Sequence, residues 1–395
     1  MNDIQITNTT AGQDISVEYS SMRCSSDKWL LLVHPSGYFG LYTKDGTFIR
    51  LLESEIDTSS RPRWSRKNRD LFSYKRLNSL WLYDAIANAS KLIHMFTEYD
   101  SIDDGGEADL SIDGEHRVLV GTKGNIQEVF VFDLISGAKD QVQTQTEAFD
   151  GLKITGSNRV IISRGTGLSI DGRQLTSVNG HACPIQFNGK DYILWCNSNE
   201  DPVTLPDYQN AVVMIDVETG DQIGLASFPW AYEFHISACS KKGFCIVSCD
   251  APKNDAPGQI WKVYCDPTIP KECLIADTKT TYRDYTSQLK ASVSEDGSRI
   301  YYTVDNGTTV NVFMLLLDAQ TDPVQSTDPQ WKPVTFVPQE INRAWQFKVR
   351  PNMKLQMFDV NPDGLSPIKM IIGNRYLFVA TSEDDLEMFT DKDNK

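Results

Sequence analysis

The sequence predicts an all-β fold, a β-propeller of four-stranded antiparallel blades, and three observations carry that expectation. Helical periodicity is scarce, whereas short β-branched and aromatic runs alternate with Asp-Gly, Asn-Gly and Ser-Gly turns. Strand-like runs that end in aspartate recur at Asp84, Asp133, Asp216, Asp266 and Asp318, spaced 49, 83, 50 and 52 residues apart. A period of about 40 to 50 residues with four strands per copy is that of a propeller blade.

The repeating unit has a fixed order: a small-residue strand, a polar turn, a strongly apolar strand, then a third strand closing in an acidic turn. Residues Lys290 to Val304 show the first two strands around Asp296-Gly297, and the 83-residue interval holds a shorter copy ending near Asp171-Gly172. Copies at Trp29 to Leu52 and at Ile368 to Phe389 bring the count to eight blades, with seven the alternative if a terminal copy is incomplete. The strand Ile4 to Thr7 is placed to pair into the last blade and close the ring, which removes exposed sheet edges. Residues 333–360 fit no blade. No linker rich in Pro, Gly or Ser divides the chain, so residues 1–395 read as one domain.

Charge narrows the partners. Lys plus Arg number 38 against 53 Asp plus Glu, a net charge of −15, which is the wrong sign for tracking a phosphate backbone and excludes nucleic acid. At 40% hydrophobic and 23% charged residues the composition is globular, and no apolar run reaches the roughly 18 residues of a membrane-spanning helix, so no membrane partner is expected. The chain is expected to act as a monomer. Seven of its eight cysteines fall between Cys183 and Cys273, and Cys265 and Cys273 bracket a Pro-containing turn that suits a local disulfide. With N-x-Ser/Thr sequons at Asn8, Asn88 and Asn306, this favours a secreted protein whose signal peptide has been removed, with a cytoplasmic one as the alternative.

In a propeller the first strand of each blade lines the axial channel, and ligands sit over the channel mouth. The residues that open the first strands are Arg61 and Arg63, Glu107 and Asp109, Lys153, His181, then Trp230, Tyr232, Glu233 and His235, then Tyr282, Arg283, Gln288 and Lys290. Imidazoles, phenols and cations collected in an acidic protein point to an anionic ligand. Each also has a structural reading: Arg61 and Arg63 pairing with Glu107 or Asp109 across blades, an inner-strand His satisfied within the fold, and aromatics such as Trp230 and Trp345 filling between blades. His34, His94 and His116 lie by turns and read as solvent-facing.

The run Phe234-His235-Ile236-Ser237, followed by Cys249-Asp250-Ala251-Pro252, is similar to a run of the oligogalacturonate lyases, polysaccharide lyases built on a propeller. Gly180-His181-Ala182-Cys183-Pro184 resembles a blade start of the same family, so the likeness covers about two blades. In that family the histidine of the first run belongs to a manganese site completed by a His-Pro-His run. Gln288 and Lys290 stand here where those two histidines would fall, so no tightly bound metal is expected and no other cofactor.

The resemblance implies β-elimination on a uronic-acid-containing polysaccharide or oligosaccharide. A cation must neutralise the uronate carboxylate so that the C5 proton becomes acidic enough to leave, and a His or Tyr must take that proton. His235 is the leading candidate for proton transfer, with His181 and Tyr232 beside it. Arg283, Lys290 and Arg63 are candidates for the carboxylate clamp, with Gln288 and Trp230 as further substrate contacts. Two other readings remain open: a non-catalytic carbohydrate- or protein-binding propeller, and a glycoside hydrolase using two carboxylates from Glu107, Asp109 and Glu233.

Overall fold

The computed structural model describes residues 3–18, 23–106, 109–145, 151–178, 180–197, 201, 203–228, 234–249, 258–269, 272–278, 280–281, 283–317, 344–348, 369–372 and 376–380. The chain forms two compact units, Met1–Pro323 and Val324–Lys395. The first is a propeller of seven antiparallel blades, the lower of the two counts the sequence allowed. In the second, the described strands Ala344–Lys348, Tyr376–Ala380 and Lys369–Ile372 hydrogen-bond to one another as a sheet of their own. The copy assigned to Ile368 to Phe389 therefore adds no blade to the ring.

Blade one contains Trp29–Val33, Phe39–Thr43 and Phe48–Leu51, with single bridges from Ser16 and Ser25 standing in for an inner strand. Blades two to six are four-stranded meanders that begin at Arg63–Trp64, Ser101–Asp103, Gly151–Ile154, Ala182–Phe187 and Phe234–Cys239. Blade seven runs Ser292–Val293, Arg299–Asp305 and Val310–Leu316, and its fourth strand is the N-terminal Asp3–Gln5, with Ile4 opposite Met314. The expected closure by the N-terminus is thus what joins the ring.

The recurring aspartate is a turn device. Asp84 accepts from the backbone N–H of Ile86 and Ala87, Asp133 from Ile135 and Ser136, and Asp216 from Glu218 and Thr219. A side chain that satisfies two amides at the hairpin after the third strand explains why the same residue type returns in blade after blade.

The core is distributed over the seams between blades. Among the described residues, an apolar cluster fills each of the successive seams, from Leu41, Trp64 and Phe72 between blades one and two to Leu32, Tyr301 and Met314 between seven and one. The seam between five and six buries Cys183, Cys196, Cys245, Cys249 and Cys265. Cys265 is a buried free thiol, which overturns the expected local disulfide with Cys273. Burial pushes its pKa far up and leaves it inert, as befits a small apolar filler. No helix among the described residues is long and apolar enough to cross a membrane.

Candidate functional site at the channel mouth

Because each blade is the same meander starting at the axis, the residues that open the inner strands gather at one mouth of the channel. His181 immediately precedes Ala182–Phe187 of blade five, and His235 opens Phe234–Cys239 of blade six. Their ring centroids are 4.3 Å apart, with planes inclined by 37°. His235 is 1% exposed, whereas His181 is half-buried and is the member that solvent reaches.

In blade seven the approach to the channel is a short 3-10 turn, Tyr285–Ser287, capped by Asp284, whose carboxylate accepts from the backbone N–H of Thr286 and Ser287. The chain then presents Gln288 and Lys290, both buried, with Lys290 in the left-handed region at φ 43°. The Lys290 ammonium lies 3.4 Å from the centroid of the Tyr285 ring, a close cation–π contact for a buried charge. Arg283 lies on the outer side of the same turn, where Asp305 at 2.9 Å and Asp14 at 3.1 Å engage its guanidinium.

Arg63 forms a buried pair with Asp104 at 2.8 Å, and Arg117 reaches the same carboxylate at 2.9 Å. Burial opposes ionisation of Asp104, but the guanidiniums of Arg63 and Arg117 prevail and hold its pKa below the usual carboxylate range. Arg63 is therefore paired across the seam between blades two and three, to a different acid from the two considered. Its neighbour Arg61 takes φ 51° and ψ 60° after the turn Thr58–Ser60, and its carbonyl accepts from Arg117 at 2.7 Å. Glu18, from blade one, completes this side. Burial raises its pKa, while the charges of Lys290, Arg61 and Arg63 pull in the opposite direction.

At the other end of the inner strands, charges line a second cavity. Arg23 reaches Asp109 at 2.9 Å and Glu295 at 2.6 Å; Arg66 adds a contact to Asp109 and Lys241 one to Glu295. Asp109 is held charged despite its burial by Arg23 and Arg66, which suits a structural anchor and not the proton donor of a hydrolase.

The structure thus brings His181 and His235 together, sets Lys290 and Gln288 on the next blade, and gives Arg63 and Arg283 carboxylate partners of their own. Lys153 is buried on the inner strand of blade four. Tyr232, Trp230, Glu233, Glu107 and Tyr282 lie outside the described residues. His34, His94 and His116 are half-buried, not solvent-facing: His34 bonds the Tyr42 hydroxyl at 2.8 Å, His94 packs on Phe96 and Phe132, and His116 meets Asp113. Glu18 was missed because nothing around it forms a motif. Asp104 and Arg117 sit in segments whose pairing only the blade packing reveals.

Among the described residues no three His, Cys, Asp or Glu side chains gather into a set that could hold a metal. Gln288 and Lys290 stand on the blade next to the two imidazoles, and an ammonium cannot ligate a metal while protonated.

Fold and mouth together define a seven-bladed propeller with an imidazole pair and cations where the inner strands begin. No protein-family model matches the chain, and no curated protein matches it significantly. Among solved structures it is similar to an oligogalacturonate lyase in complex with manganese, at TM-score 0.57 and 10% identity over 80% of this chain and 93% of that one. It is also similar to an oligogalacturonate lyase from Vibrio parahaemolyticus, at TM-score 0.56 and 12% identity over 80% and 94%. At such identities the likeness is one of fold, and in that fold the chain resembles the propeller oligogalacturonate lyases at a distance.

Proposed function

We propose that this protein is a lyase that cleaves a uronic-acid-containing polysaccharide or oligosaccharide by β-elimination at the mouth bearing His181 and His235. The observation that carries the reading is the contact between those two imidazoles, with Lys290 on the neighbouring blade. One imidazole takes the C5 proton, the electron pair of the C–H bond becomes the C4–C5 double bond, and the C4–O bond breaks. The departing oxygen then takes that proton back from the imidazolium. Because His181 is the accessible member, it is the one that meets substrate, and His235 supports it from the inner strand. A cation at the uronate carboxylate stabilises the enolate-like intermediate, and Lys290 supplies that charge in place of a metal ion.

Incubation with a panel of uronides, followed in the ultraviolet band of the unsaturated product, tests this directly. A rise in absorbance supports the lyase. New reducing ends without absorbance would make the protein a hydrolase, and saturable binding with neither signal would make it a binding propeller.

A further inference from the structure

We propose that Arg61 is the guanidinium that receives the substrate carboxylate, and that Glu18, which lines the same cleft, weakens binding there by its negative charge. The inference rests on the uronate reading above and names the residues that would select for the acid.

Three features of the mouth support it. First, Arg61 and Glu18 line one cleft together with Thr58, Pro62, Arg63 and Phe39. Second, the two neighbouring arginines differ in their partners. Arg63 is 2% exposed and bound to Asp104, whereas Arg61 makes no ion pair among the described residues and its buried Nε has no hydrogen-bond partner. A buried donor without an acceptor is costly unless a ligand supplies one. Third, Arg61 is held in place by its backbone. Its left-handed conformation is rare for a residue with a Cβ, and it is fixed by the Arg117 guanidinium bonded to the Arg61 carbonyl and by the turn before it, which Asp57 caps through the backbone N–H groups of Ser59 and Ser60.

Glu18 shows what the cleft is built to hold. It lines the cleft with Arg61 and Arg63, and the charges of Lys290, Arg61 and Arg63 favour its ionised form against the effect of burial. An incoming uronate carboxylate would meet the same cations and compete with it. Neutralising Glu18 should therefore help a uronate bind, whereas neutralising Arg61 should hinder it.

Opposite signs from two neighbouring substitutions make the test. Galacturonate, a monosaccharide with no glycosidic bond to cleave, is titrated into the wild-type protein, Arg61→Gln and Glu18→Gln, with galactose as the neutral control. The expected result is that Arg61→Gln weakens galacturonate binding by about tenfold or more, that Glu18→Gln tightens it, and that galactose responds to neither. Unchanged affinity in Arg61→Gln, no tightening in Glu18→Gln, or no saturable binding of galacturonate to the wild type overturns the proposal. Should Arg61→Gln fail to fold, Glu18→Gln alone decides. If no uronide yields an unsaturated product but these binding shifts hold, the lyase reading falls while the subsite stands. If the lyase is active but the shifts are absent, the subsite falls alone.

Discussion

The rings of His181 and His235 lie 4.3 Å apart, centroid to centroid, although they open the inner strands of different blades. The contact ties the arrangement of the mouth to the packing of blade five on blade six.

Replacing the accessible imidazole should separate chemistry from folding. His181→Ala is expected to lower turnover at least about 100-fold, the lower range for loss of an acid–base group, with a melting temperature close to the wild type. His235→Ala should lose turnover and also stability, because it empties a buried site. Steady-state rates and thermal melts of both variants check this, and near-normal turnover in His181→Ala would move the proton transfer elsewhere.

The buried triad of Arg63, Arg117 and Asp104 should show itself in acid. The Asp104 pKa is held below its unfolded value of about 4, so its contribution is complete above that pH and is lost as pH falls through the depressed folded value. Asp104→Asn leaves two guanidiniums without their carboxylate and should cost about 3 to 5 kcal/mol at neutral pH. Denaturant melts at pH 7 and pH 3 would measure it, with the gap between the two proteins narrowing at the lower pH.

Glu18 has the reverse sign. Burial raises its pKa, so the protonated form favours the folded state, and that contribution is full below the unfolded value of about 4.3 and disappears as pH rises through the folded one. At pH 7 the buried charge is a burden, and Glu18→Gln is expected to raise the melting temperature, less so near pH 4. A lower melting temperature at pH 7 would show that the surrounding cations outweigh the desolvation.

Chelation should leave the activity standing. Treatment with excess EDTA, followed by desalting, is expected to preserve most of the ultraviolet signal from a uronide substrate. Loss of that signal with recovery on adding manganese would overturn the metal-free reading.

Much of the ring was legible in the sequence because hairpin chemistry is local. The Asx turns at Asp84, Asp133 and Asp216 and the alternation within each strand recur wherever a blade does. Closure is not local, and this is why the count of eight overshot. An apolar run such as Lys369–Ile372 looks like a blade strand whether or not it belongs to the ring, while the true seam joins Asp3–Gln5 to Val310–Leu316. Both histidines could be picked out from their neighbours in the chain, but their contact could not. For the same reason the partners of the arginines were not legible. Arg63 looked like the clamp and is held by an aspartate, whereas Arg61, two positions away, has none.

The seam made by the first few residues also sets an order of events in synthesis. Thr7 bonds to Asn311, a partner 304 residues further along, so the segment around Thr7 must stay unpaired while nearly the whole ring is made after it. Blades two to six can form as they emerge, each from adjacent strands. The step that closes the ring is the pairing of Asp3–Gln5 with Val310–Leu316, and this long-range step is the slow one. Chains lacking residues 3–5 should stall there, with blades formed and the ring open, and should present the bare edge of Val310–Leu316 to their neighbours as a template for aggregation.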